Sequence, residues 1–137
     1  MAKETIVDTN ILVGLLISKD QHHEDARRIY ESLPKPVLVH VLTVAEVAHF
    51  LEARIGPEAE LRFLEQIRDG HEIVVCYDSE DWEHTYDLAA TYLKNALGTI
   101  DAAVMIAAER YGGRVASLDN LLRTVVTPRT PWFEVVP

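Results

Sequence analysis

A single cysteine, Cys76, leaves this 137-residue chain no intrachain disulfide to form, which suits an intracellular, cytoplasmic protein. No apolar run approaches the roughly 20 residues that span a bilayer. Asp8 and Asn10 interrupt the amino-terminal apolar stretch, so it does not read as a secretory signal. Positive charge is scarce: the formal net charge of −9 argues against holding nucleic acid by bulk electrostatics. There is no Gly-rich phosphate loop, since Gly112-Gly113 follows a helical segment instead of preceding one, and no serine or cysteine sits in a nucleophile-elbow motif. The six histidines show no metal-ligand spacing, which argues against zinc. His22-His23 reads as a solvated helix start, and His40 and His49 read as structural.

What is present describes one soluble α/β domain over residues 1–137, with 48% hydrophobic and 26% charged residues. Apolar runs at about 4–8, 37–40, 73–77, 114–117 and 133–136 read as strands. Helical periodicity lies near 10–18, 21–32, 43–55, 57–69, 79–95 and 100–111. The third of these helices carries Val47, Phe50 and Leu51; Leu61, Leu64 and Ile67, then Trp82, Tyr86, Ala89, Ala90 and Leu93 are expected inward. Cys76, in Ile73-Val74-Val75-Cys76-Tyr77, reads as a buried structural thiol. Strands alternating with helices predict a mostly parallel sheet of four or five strands, covered on both faces. Charge is uneven, because the mildly basic end from Arg110 onward holds only Asp119 and Glu134 as acids.

Four carboxylates share a placement at strand ends or in first helical turns. Asp8 ends the first strand, Glu46 follows Thr43 by three residues, Asp101 follows Thr99 by two, and Asp119 comes just after the fourth strand. In a parallel α/β sheet such positions gather on one edge, where ligands bind. An oxygen-only cluster suits Mg²⁺ or Mn²⁺. Each acid also has an ordinary reading: Thr43-x-x-Glu46 as a capping box, Asp101 as a partner of the helix dipole, Asp8 and Asp119 as turn residues. Their joint placement favours the metal site. Asp78-Ser79-Glu80-Asp81 reads as an over-determined helix start capped by Ser79.

Asp8-Thr9-Asn10-Ile11, Thr43-Val44-Ala45-Glu46, Asp101-Ala102-Ala103 and Ser117-Leu118-Asp119, in this order, resemble the PIN-domain family, with size and order most like its VapC-type toxins. The resemblance spans essentially the whole chain. It implies a three-layer α/β/α sandwich and an Mg²⁺- or Mn²⁺-dependent endoribonuclease, the toxin of a toxin–antitoxin pair, which hydrolyses RNA by metal-activated water. Asp8, Glu46, Asp101 and Asp119 match the family's acidic quartet; Asn10 and Ser117 match its polar supporting positions. Leu121-Leu122 departs from the pattern, standing where many members carry an aromatic residue.

Arg114, Arg123 and Arg129 are the candidate contacts to RNA phosphates. The resemblance also implies an antitoxin of VapB type as partner, and a homodimer is expected. The apolar faces around Ile29-Tyr30-Leu33 and Leu61-Leu64 are candidate docking or dimer surfaces. Two readings compete with the enzyme: a catalytically silent PIN-like binding module, and a receiver-type phosphoacceptor. The second would need a lysine on a late strand, and the last lysine here is Lys94.

Overall fold

The structure, a computed structural model, describes residues 4–130 and 133–136. Its centre is β1 (Ile6–Val7), both residues fully buried. Around it stand β2 (Leu38–His40), β3 (Ile73–Val75), β4 (Arg114–Ala116) and β5 (Glu134–Val136), in the order β3-β2-β1-β4-β5. Every pairing is parallel, so the sheet is fully and not just mostly parallel.

Side chains alternate across this sheet with the two-residue period of a strand. Val7, Val39 and Ala116 enter one core, together with Ile11, Leu12, Val47, Leu51 and Phe63 from α1 (Thr9–Leu16), α3 (Val41–Arg54) and α4 (Pro57–Arg68). Ile6, Leu38 and Val115 enter the other, with Met105 and its neighbours on α6 (Thr99–Arg110). The helix α2 (His23–Ser32) adds Ile29 to the first core, and Leu122 and Val126 add to the second. These are the three layers of an α/β/α sandwich. Strand order runs outward from β1 through β2 and β3, then reverses through β4 and β5. The crevice at the carboxyl ends of β1 and β4 is therefore the switch point of the fold.

Several local expectations are corrected. Helix α3 begins at Val41, directly after β2, and His40 caps it by accepting the Leu42 N–H at Nδ1 (3.1 Å). Thr43 is thus buried inside the helix, its hydroxyl without a hydrogen-bond partner among the described residues, and the Thr43–Glu46 capping box does not form. Ser79 does not cap α5 (Asp81–Thr91); the Asp81 carboxylate instead accepts the Asp78 N–H at 2.7 Å. The helix is also shorter than expected, giving way to a 3₁₀ turn at Leu93–Asn95.

The face of α5 is rotated as well. Asp81, Thr85 and Tyr92 are buried, whereas Trp82, Tyr86, Ala90 and Leu93 are exposed. An ion pair from exposed Arg110 to buried Asp81 (2.8 Å) anchors the helix by a polar edge that hydrophobic periodicity does not register. On α4, Ala59 and Phe63 face inward and Leu61 and Leu64 outward; on α3, Phe50 is exposed; Ile29 and Leu33 are ordinary core. Cys76 is exposed, because β3 is an edge strand and ends one residue before it. His49 is exposed as well. Among the described residues no helix is long and apolar enough to cross a membrane.

Candidate metal centre at the switch point

Asp8 leaves β1 with extended backbone and forms the N-cap of α1, its Oδ1 accepting the Thr9 N–H at 2.8 Å. Its own N–H donates to Ala116 O (2.9 Å), which fixes the end of β1 against the end of β4. Asp101 sits in the first turn of α6, and its Oδ2 accepts the Gly98 N–H at 3.1 Å. Asp119 follows β4 and accepts the Leu121 N–H at 2.8 Å. One carboxylate oxygen from each of Asp8, Asp101 and Asp119 lies within 4.8 Å of the other two.

Ser117 and Asn10 bind this corner together. Ser117 Oγ donates to Asp8 Oδ2 (2.8 Å) and accepts both Asn10 Nδ2 (3.2 Å) and the Asp119 N–H (2.9 Å). One donor and two lone pairs are all a hydroxyl has, so its proton is committed to Asp8. Asn10 Oδ1 accepts the Leu118 N–H at 2.9 Å, closing the link between α1 and the β4 loop. Each of these groups thereby orients a carboxylate.

The Asp8 carboxyl is pushed up from 3.8 to about 6. Burial is the chief cause, opposed by the hydrogen bonds from Ser117 and Thr9 and reinforced by the charges of Asp101 and Asp119. Asp101 is also raised, first by burial and then by Asp119 and Glu46, with the Gly98 N–H opposing. No cationic side chain figures among the causes of either shift. The chemistry fits a hard divalent cation: only oxygen donors converge, and their mutual repulsion is what a cation relieves.

Glu46 stands outside the 4.8 Å triplet but lines the same cleft, of about 330 Å³, with Asp8, Thr9, Asn10, Val13, Phe50, Arg54, Asp101 and Asp119. A second cavity, about 270 Å³, opens beside Asp8, Glu46 and Asp101 at the start of α6. Glu46 is the sixth residue of α3 and not a first-turn residue. No motif marks Phe50 or Arg54 as part of the site, yet the spacing Glu46, Phe50, Arg54 defines one helical face at i, i+4 and i+8. Arg54 Nη1 is held by Asp20 Oδ2 at 3.0 Å, which fixes the guanidinium at the rim.

The other arginines are placed differently. Arg123 Nη2 donates to Ser117 O (2.9 Å), next to the acids. Arg129 donates to Val125 O and lies over the Tyr92 ring, 5.7 Å from its centroid. Arg114 opens β4 at the amino edge of the sheet, opposite the acids, and faces Glu134 at 3.7 Å. The structure does not bring Arg114 to the cleft.

Comparison with known proteins gives the same architecture. The PIN domain model matches residues 5–126. Ribonuclease VapC26 of Mycobacterium tuberculosis is 25% identical over 116 residues, covering 84% of this chain and 86% of that protein. The crystal structure of VapC20 of Mycobacterium tuberculosis, a Sarcin-Ricin loop cleaving toxin, superposes with a TM-score of 0.71 at 19% identity, over 78% of this chain and 82% of that one. A toxin–antitoxin complex from Klebsiella pneumoniae superposes with a TM-score of 0.69 at 20% identity, over 98% and 97%. At such identities the superpositions speak for the fold.

Proposed function

This chain belongs to the PIN-domain family, and on that premise we propose that it is a divalent-metal-dependent endoribonuclease, the toxin of a toxin–antitoxin pair. The convergence of Asp8, Asp101 and Asp119 at the switch point carries the reading. Its ribonuclease and toxin assignments are supported by the similarity to VapC26 and by the fold shared with toxin–antitoxin complexes. In it, Asp8, Asp101 and Asp119 hold Mg²⁺ or Mn²⁺, and Glu46 completes the acidic wall.

When bound, such a cation supplies an activated water and neutralises charge on the phosphoryl oxygens. The chain's own residues do the rest. Ser117 and Asn10 hold Asp8 and the Asp119 loop in register, so the donor oxygens are set before any ligand arrives. Phe50, exposed at the rim, offers a face on which a base can stack. Arg54, which lines the cleft, and Arg123, which is bound to Ser117 O, are the contacts for backbone phosphates; Arg114, at the opposite edge of the sheet, has no part.

Cavities on two sides of the carboxylates let a strand run past them instead of ending there, which favours internal cleavage. The acidic cleft also suits a partner that presents a cation, as an antitoxin of VapB type would. The test is incubation of purified protein with total RNA, with Mn²⁺ and with chelator, mapping the cut ends. Metal-dependent cuts leaving 5′-phosphates, lost in Asp8→Ala, are expected. If wild type and Asp8→Ala leave RNA equally intact, the silent binding module replaces the enzyme. Association with an antitoxin is tested separately, by co-purification with the product of the adjoining gene.

A further inference from the structure

The loop after α1 is tied down by one acid. Asp20 Oδ1 accepts the His22 N–H (2.9 Å), its Oδ2 accepts Arg54 Nη1 (3.0 Å), and its own N–H donates to Ile17 O (3.0 Å). Ser18 and Lys19 are thereby held against the end of α3. There Ile55 closes the helix, and Gly56, at a φ of 146° that favours glycine, turns the chain into α4. Ala59 and Phe63 of α4 face the core, and exposed Arg62 stands at the border of that face. These segments enclose a cavity of about 550 Å³, larger than the cleft at the acids. It is lined by Lys19, Arg54 and Arg62 together with the apolar Leu16, Ile17 and Ile55, and among the described residues no acid lines it.

Three of the chain's 13 lysines and arginines thus converge on one cavity, although the net charge is −9. Lys19 and Arg62 form no ion pair among the described residues, and Arg54 pairs with Asp20 alone. Cations gathered without acids repel one another, and a bound anion relieves that repulsion. The other wall is apolar: Ile55 is 52% exposed, and a shallow extension of about 120 Å³ runs from Leu16 and Ile55 over Phe63. A ligand that fills this space combines anionic groups with a flat apolar face, as a nucleotide does. Arg54 lines both this cavity and the cleft at the acids, so the two adjoin.

We propose that a single-stranded RNA bound at the acids continues past Arg54 into this cavity, its phosphates on Lys19 and Arg62 and a base against Leu16 and Ile55. The inference rests on the ribonuclease reading and names where the flanking strand is held. Arg54 lies about 12 Å along the α3 axis from Glu46. That is about one Debye length at physiological salt, so these cations attract the strand without neutralising the carboxylates that hold the metal. An acidic body can in this way bind a polyanion: the charge that captures it is kept apart from the charge that binds the cation. An acidic peptide would also meet Lys19 and Arg62, but it has no need of a cavity that opens onto a metal centre. A strand threading past the acids does.

Fluorescence anisotropy of a labelled single-stranded RNA of about twelve nucleotides tests the proposal. The RNA is added to Asp8→Asn protein, which leaves it uncut, in Mg²⁺ at several salt concentrations. Combining Lys19→Ala with Arg62→Ala weakens binding about tenfold and lowers the slope of log affinity against log salt by about 1.4. Lys19→Arg, which keeps the charge, retains both affinity and slope. In the NMR spectrum of the Asp8→Asn protein, the Ile17 and Ile55 methyl signals move with RNA and stay in place once the two cations are gone. RNA that is cut by wild type, yet bound with the same affinity and slope without Lys19 and Arg62, overturns this site alone. RNA bound through these cations but left intact by wild type in Mn²⁺ overturns the ribonuclease reading and keeps the site. Methyl signals that move for a glutamate-rich peptide and not for RNA overturn it, as does RNA that is not bound at all.

Discussion

Asp8 and Asp81 expose equally little surface, 4% and 3%, yet they behave in opposite ways. Burial raises both. At Asp81 the Asp78 N–H and the Arg110 guanidinium outweigh it and hold the carboxyl below its usual value. At Asp8 two hydrogen bonds fall short, chiefly because burial is the larger effect, and the charges of Asp101 and Asp119 add to it. Low exposure alone does not tell a structural acid from a functional one; how deep it lies and the sign of its neighbours do. The pair Asp81–Arg110 ties α5 to α6, whereas the Asp8 cluster leaves negative charge unneutralised at the switch point.

The sharpest way to break this contrast is Asp8→Asn. It removes a donor oxygen, so RNA cleavage falls on the order of 10³-fold. In metal-free buffer at pH 8 the same change stabilises the fold, by up to about 3 kcal/mol, since a charge that burial disfavours is gone. Activity lost together with a melting temperature raised is the expected pairing; a large loss of stability would show that Asp8 is a structural acid like Asp81. Arg110→Met should do the reverse. It leaves the Asp81 carboxylate without its partner and destabilises by about 1–2 kcal/mol, read by denaturant melts, with the metal response intact.

Acid dependence separates the two residues next. Folded Asp8 titrates at about 6 against 3.8 unfolded, so between those values the native state binds more protons than the unfolded one. Its contribution to metal-free stability therefore falls as pH rises from about 4 to 6 and is flat above. Asp81, lowered in the fold, contributes stability that is present above 3.8 and lost as pH falls through its folded value. Subtracting the Asp8→Asn stability profile from that of wild type isolates the first slope. The smallest effect is that of metal: millimolar Mg²⁺ or Mn²⁺ raises the melting temperature by a few degrees. Asp101→Asn should lose most of that rise, while Arg110→Met keeps it.

Much of this was legible in the chain. Ile6-Val7-Asp8 announces a buried strand ending on an acid, and the alternation of apolar runs with helical periodicity predicts the layered sheet. The positions of the acids are legible in the sequence, but their capping roles are less so. Thr43 looks like an N-cap because Thr-x-x-Glu is a local signature, yet tertiary packing starts α3 two residues earlier and buries it. Cys76 looks like core because its neighbours are apolar, and only the strand order reveals β3 as an edge. Local pattern is blind to both.

Helix α5 shows where pattern reading is misled outright. Trp82, Tyr86, Ala89, Ala90 and Leu93 have the spacing of a buried stripe, and the fold turns that stripe to solvent, held by the Asp81–Arg110 ion pair. The chain by itself determined which segments are strands and helices, because backbone periodicity and apolar spacing are local properties. It also determined which acids could gather, because parallel strands place their carboxyl ends on one edge. What only the tertiary structure decided is which of them meet within 4.8 Å, that Ser117 commits its one proton to Asp8, and which face of α5 looks outward. Those depend on contacts between residues more than 25 positions apart, such as Asp8 with Ser117 and Asp81 with Arg110, and no local spacing encodes them.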